Sequence, residues 1–169
     1  MKKSMLFFAA LLFSINVNAA TLSLTGAGSI GSSQNVDLSN NSTVLAGGTV
    51  AARRLWSSSF NATTDVDTPV IIEWSFNPST SLSSAQLVFG ELGGPLQLFN
   101  ISSDFIFNAS MTAGTTYLVA ILNATSNILK YDLSISASAV PIPAALWLFA
   151  PALMGFFGLR RKALKSATA

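Results

Sequence analysis

Apolar and polar residues alternate with a period of two over several short stretches of this chain, the pattern of strands with one buried and one wet face. Within 68–76, Val70, Ile72, Trp74 and Phe76 point one way while Ile71, Glu73 and Ser75 point the other. Tyr131, Leu133 and Ile135 oppose Asp132, Ser134 and Ser136 in the same manner. Residues 116–122 are apolar on both parities, Tyr117, Val119 and Ile121 against Leu118, Ala120 and Leu122, which predicts a central strand buried on both faces. Further strands are predicted over 21–25, 49–55, 86–89, 96–100 and 104–109. Gly47-Gly48, Asn77-Pro78, Gly93-Gly94-Pro95 and Ala113-Gly114 lie between them as turn formers. The Gly- and Ser-rich stretch 26–41 reads as a long loop or lead-in. Eight short strands and no helical stripe predict an all-β fold, an antiparallel β-sandwich of jelly-roll-like form.

The two ends break this pattern. Met1-Lys2-Lys3-Ser4 precedes an apolar run of 11 residues, Met5 to Ile15, then small residues at Val17 and Ala19. That is the composition of a secretory signal peptide over 1–19, and the run is well short of the roughly 20 residues that a spanning helix needs. Cleavage is expected after Ala19, with Ala20 the rival position. At the other end Val140-Pro141-Ile142-Pro143 leads into an uncharged stretch, 144–159, followed by Arg160-Arg161-Lys162 within the basic tail 160–169. Positive charge after an apolar segment stops transfer and stays cytoplasmic, so a single C-terminal transmembrane helix is expected. Counted from Ala144 the stretch has 16 residues and from Val140 it has 20, a minimal span.

A proline-containing motif, a short apolar helix and a basic cluster, in that order at the C-terminus, resemble the sorting signal of the PEP-CTERM proteins in its VPLPA-type variant. The resemblance covers 140–169 and rests on Val140, Pro141, Ile142 and Pro143 with Trp147, Gly155, Gly158 and Arg160-Arg161-Lys162. It departs from the family in Ile142, where an acidic residue is usual between the prolines, and in Pro151 inside the apolar stretch. The resemblance implies a Gram-negative exporter that makes exopolysaccharide, in which a membrane-embedded exosortase recognises the motif and removes or transfers the tail. Residues 111–120 with Tyr131 to Ile135 are also similar to the last hairpin of bacterial extracellular jelly rolls.

Composition changes the picture only once the ends are set aside. The chain of 169 residues is 50% hydrophobic and 9% charged, with a formal net charge of +2. The ectodomain expected over 20–139 instead has three basic residues, Arg53, Arg54 and Lys130, against seven acidic ones, a net charge of −4. The basic balance belongs to the export signals, and nucleic-acid binding is not expected of a domain with so little clustered positive charge. The absence of His and Cys excludes imidazole triads, thiol nucleophiles, disulfides and the usual zinc sites.

Among what remains, Asp65 and Asp67 with Glu73 offer hard oxygen ligands of the kind Ca²⁺ takes, without an EF-hand's spacing, and form a weak metal site at best. No other metal and no cofactor is expected. Trp56, after Arg53-Arg54-Leu55, is a candidate platform for a sugar ring, because indole faces stack on sugars and carry a hydrogen-bonding tip. Trp74 alternates with core positions and is expected inside. Asn40, Asn41, Asn61, Asn100, Asn108 and Asn123 begin N-x-[ST] triplets, which Asn- and Ser/Thr-rich strands generate by composition. No activated nucleophile or poised acid–base pair is visible, so an enzyme is not expected. The expected protein is exported, passes through an inner-membrane intermediate, is processed by an exosortase, and is delivered to the cell surface or extracellular matrix of a biofilm with exopolysaccharide as a partner. The alternatives are a surface-displayed carbohydrate-binding module and a permanently anchored single-pass type I membrane protein.

Overall fold

The computed structural model describes residues 20–40 and 42–138. The expected signal peptide and cleavage position Ala19, and the whole of 140–169 with its sorting motif, apolar stretch and basic cluster, lie outside the described residues. Among the described residues no helix is long and apolar enough to cross a membrane.

The described residues form ten strands: β1 (Leu22–Ile30), β2 (Asn35–Asn40), β3 (Thr43–Val50), β4 (Arg54–Thr64), β5 (Thr68–Asn77), β6 (Leu82–Glu91), β7 (Leu96–Ile101), β8 (Phe105–Met111), β9 (Tyr117–Ser126) and β10 (Leu129–Ala137). They assemble into two five-stranded sheets, β1-β4-β9-β6-β7 and β2-β3-β10-β5-β8. All pairings are antiparallel, and most connections cross from one sheet to the other. The molecule is an all-β antiparallel two-sheet sandwich.

The clearest periodicities in the sequence map onto the strands with the most regular burial. In β5, Thr68, Val70, Ile72, Trp74 and Phe76 are buried, and in β10, Leu129, Tyr131, Leu133 and Ile135 are. These two strands pair with each other in the middle of their sheet, Leu133 opposite Trp74 and Ile135 opposite Ile72. Strand β9, apolar on both parities, is the central strand of the other sheet, and Val119, Ala120 and Ile121 are all fully buried.

Three expectations change. The stretch 26–41 is not a loop: β1 continues through a bulge at Gly26/Gly28 to Ile30, and β2 begins at Asn35. Both are edge strands whose side chains are mostly exposed or half-buried, so the apolar period that announces a strand is missing although the backbone ladder is formed. Gly47-Gly48 is not a turn but the middle of β3, and the expected strand 49–55 is two strand ends separated by 51–53. Glycine is required here by close approach. A Cβ on Gly47 would lie 2.7 Å from Oδ1 of Asp132, and one on Gly48 would collide with the Ser33 carbonyl oxygen and lie 2.6 Å from the Tyr131 hydroxyl. The third change is β4, where Trp56, Ser58, Phe60, Ala62 and Thr64 alternate inward with serine and threonine among them.

Those inward polar groups are satisfied. Tyr131 lies under the crossing from β1 to β2, its hydroxyl donating to the Ser33 carbonyl at 2.7 Å and sitting 2.9 Å from Ser58 Oγ. Gln34 Nε2 donates to Ser58 Oγ at 3.0 Å and to the Ser59 carbonyl at 2.7 Å. Among the described residues no buried side-chain nitrogen or oxygen is left without a partner. The aromatic centre is a stack in which the Tyr131 ring lies 4.9 Å from Trp56 and 6.2 Å from Trp74.

Candidate functional site

The strands define two poles. Arg54 faces Ser126 and Lys130 faces Asn77 at one; Leu22 faces Thr64, Glu91 faces Tyr117 and Ala137 faces Val70 towards the other. At the first pole the register of β9 slips against both neighbours. Trp56 faces Ala124 but Ser58 faces Ile121, and Ser84 faces Thr125 but Gln86 faces Leu122, so β9 carries one extra residue towards each. The extra residue is centred on Asn123, the only non-glycine residue with positive φ among those described, at φ 50°. Asn tolerates this left-handed conformation better than other side chains, and a bulge of this kind re-aims a side chain out of the sheet. The amide of Asn123 donates to Ser57 Oγ at 3.1 Å, and its side chain is exposed.

A hollow of about 510 Å³ opens beside it, lined by the polar residues Ser84, Gln86, Asn100, Ser102 and Asn123 where the core residues Ala85 and Ile101 also reach its edge. Gln86 and Asn100 are register partners on β6 and β7, with Gln86 Nε2 3.5 Å from Asn100 Oδ1. Next to it a second hollow of about 470 Å³ is lined by Arg53, Arg54, Ser83, Thr125, Ser126 and Asn127. They are neighbours: Ser84 of the first and Thr125 of the second are hydrogen-bonded, Oγ and Oγ1 2.8 Å apart. Arg53 is held by its Nε, which donates to Asn127 Oδ1 at 2.7 Å, while the Asn127 amide donates to the Ser81 carbonyl at 3.0 Å. The lining is thus neutral amides and hydroxyls with two guanidinium groups at one end, and it contains no carboxylate.

The residues singled out by sequence fall elsewhere. Trp56 is 1% exposed: its ring is stacked on Tyr131 and its Nε1 donates to Ser126 Oγ at 2.8 Å. Neither indole face is available to a sugar, because the alternation of β4 places Trp56 on the inward side. Trp74 is in the core, as its parity predicts. Asp65 and Asp67 do not converge on a cation; each accepts a hydrogen bond from a different segment. Asp65 Oδ1 takes the Thr21 amide at 2.7 Å, and Asp67 Oδ1 takes the Ala113 amide at 2.8 Å. The Thr21 amide holds the Asp65 carboxyl below the ordinary aspartate range. Glu73 is on the outer face of the other sheet, where with Asp132 it borders a shallow hollow of about 270 Å³. Among the described residues no group of three or more His, Cys, Asp or Glu is placed to hold a metal ion.

Sequence reasoning missed Ser84, Gln86, Thr125 and Asn127 and met Asn100 and Asn123 only as parts of chance triplets. Arg53-Arg54 was visible as the one basic pair of the domain.

No family description matches the chain, and no curated protein matches it. Solved structures do. A Podospora anserina β-(1,4)-mannanase, GH26-CBM35, is 11% identical with a TM-score of 0.44, covering 73% of this chain and 29% of its own. A carbohydrate binding module from Cellvibrio mixtus lichenase 5A, solved in complex with cellotriose, is 12% identical with a TM-score of 0.39, over 71% of this chain and 99% of its own. The C-terminal carbohydrate-binding module of a marine laminarinase from Zobellia galactanivorans is 10% identical with a TM-score of 0.38, over 68% and 98%. What the hollows of the present chain can hold is a matter of their own chemistry.

Proposed function

We propose that the β-sandwich is a non-catalytic saccharide-binding module of an exported protein. The observation that carries this reading is the hollow around Asn123, where Gln86, Asn100 and Asn123 from three adjacent strands present side-chain amides beside the hydroxyls of Ser84 and Ser102. A sugar hydroxyl is at once donor and acceptor, and so is a carboxamide, which makes such a lining suited to a polyhydroxylated ligand. The absence of a carboxylate, histidine or cysteine among the lining residues supports a binding role over hydrolysis, which needs a pair of carboxylates across the cleft.

The placement of the module follows from the sequence. The leader 1–19 and the tail 140–169 support export, sorting by an exosortase, and delivery to the cell surface or matrix, where exopolysaccharide is the natural ligand. Affinity electrophoresis of the full chain through gels containing neutral and acidic polysaccharides tests the binding reading. Retardation by at least one polysaccharide, lost in Asn123→Ala and Gln86→Ala, is the expected result; unaltered mobility in every gel overturns it.

A further inference from the structure

Charge separates along the strand direction of the sandwich. Arg53, Arg54 and Lys130, all the basic residues of the described part, fall at the pole where β4 and β10 begin. Asp65, Asp67 and Glu91 fall at the opposite pole, in or beside the turns that follow β4 and β6. One acid, Asp104, shares the basic pole, its Oδ1 occupied by the Phe76 amide at 2.8 Å, and Asp37, Glu73 and Asp132 lie between the poles at mid-strand on the β2-β3-β10-β5-β8 sheet. Both ends of the described chain leave from the acidic pole: the Thr21 carbonyl accepts from Asp65, and the Ser138 amide donates to the Pro69 carbonyl.

The basic pole is also the pole of the two hollows. Arg53 and Arg54 are exposed, and both line the second hollow beside Ser83, Thr125 and Asn127. The contact of Arg53 Nε with Asn127 Oδ1 fixes the guanidinium while leaving its two terminal nitrogens for a ligand. A guanidinium presents its donors as a planar fork that matches a carboxylate in two parallel hydrogen bonds. A domain of net charge −4 repels a polyanion everywhere except where its cations are gathered, so electrostatics would orient such a ligand onto this pole.

We propose that the two neighbouring hollows together take an acidic, carboxylate-bearing polysaccharide, with sugar hydroxyls on Gln86, Asn100 and Asn123 and uronate carboxylates on Arg53 and Arg54. This rests on the saccharide-binding reading and names the class of saccharide. The polymer is then held at the pole opposite Thr21 and Ser138, near the two ends of the described residues.

The test is binding of the full chain to polygalacturonate, to the methyl ester of the same polymer, to dextran and to double-stranded DNA. Expected are binding of polygalacturonate about tenfold tighter than of its ester, and a fall in that affinity as salt rises from low to several hundred millimolar. Arg53→Ala and Arg54→Ala should each reduce the acid polymer towards the level of the ester, and Asn123→Ala should weaken both. Equal binding of acid and ester, unaffected by the arginine variants, overturns the acidic class and leaves the saccharide reading standing. Binding of DNA as tight as that of polygalacturonate overturns it as well, reducing the pole to a charge effect. Binding of no polysaccharide overturns both readings. Both arginines are exposed, and an unchanged urea midpoint establishes that the variants fold.

Discussion

The Tyr131 hydroxyl donates a 2.7 Å hydrogen bond to the carbonyl oxygen of Ser33, a residue 98 positions earlier in the chain. This bond ties the central strand of one sheet to the crossing that joins the sheets, and it is possible only because Gly48 has no side chain in the space between. Tyr131→Phe removes the hydroxyl from the Ser33 carbonyl and leaves Ser58 Oγ with Gln34 Nε2, so it should cost about 1 kcal/mol, the net worth of an ordinary hydrogen bond. Gly48→Ala, whose methyl group meets both ends of the bond, should cost more. Urea denaturation midpoints of the two variants check the order; a Gly48→Ala protein as stable as wild type would contradict the packing described.

Trp56 and Asn123 make opposite predictions. Trp56→Phe keeps an aromatic ring in the core but removes the donor to Ser126 Oγ, so it should lower stability by about 1–2 kcal/mol with polysaccharide binding unchanged. Loss of binding in a Trp56→Phe protein that keeps wild-type stability would restore the indole as a ligand platform.

At Asn123 the backbone conformation and the side-chain chemistry can be separated. Alanine in the left-handed region costs about 1 kcal/mol, whereas glycine adopts it freely. Asn123→Ala should therefore destabilise while Asn123→Gly stays near wild type, and both should lose saccharide affinity. Thermal unfolding set beside affinity electrophoresis reads the two effects independently.

Asp65 gives the pH dependence. Its folded carboxyl titrates below the ordinary aspartate range because it accepts the Thr21 amide, so the unfolded chain binds the proton more readily. The contribution is present in full above the unfolded value of about 3.9 and is lost as pH falls through the lower folded value. Asp65→Asn should lower stability above about pH 4, where the contribution is present in full, and converge on wild type as pH falls further, which flattens the acid limb of the stability curve. Urea midpoints across that range decide it, and an identical acid limb in wild type and variant would count against the tie.

The proposed export and sorting are read most directly by intact mass. Protein from the supernatant of the native host should begin at Ala20, and it should lack the segment beyond the proline motif only when the exosortase is present. A tail retained in both strains would make the C-terminus a permanent anchor.

The legibility of the fold followed burial. Strands β5, β9 and β10 were readable because a strand buried on one face or both writes its environment directly into the residue type at each position. Strand β4 was misjudged because Ser58 and Thr64 take inward positions and are satisfied by partners from distant strands and turns, which a window of neighbouring residues does not contain. Strand β1 was legible only at its start, within 21–25, where Leu22 and Leu24 face inward; its continuation to Ile30 and the edge strand β2 show no apolar period.

Local residue order was sufficient for an all-β chain, the alternation of its central strands, the inward side of Trp74 and a net negative stretch over 20–139 between two basic ends. Period two and net charge need no partner to be counted. Strand pairing is what turns Trp56 inward, sets Asp65 and Asp67 to brace separate segments, and brings Gln86, Asn100 and Asn123 into one hollow with Arg53 and Arg54 beside it. Those are consequences of register: a one-residue slip of β9 at Asn123 relative to β4 and β6 sets which side chains meet, and that slip is a property of three strands together.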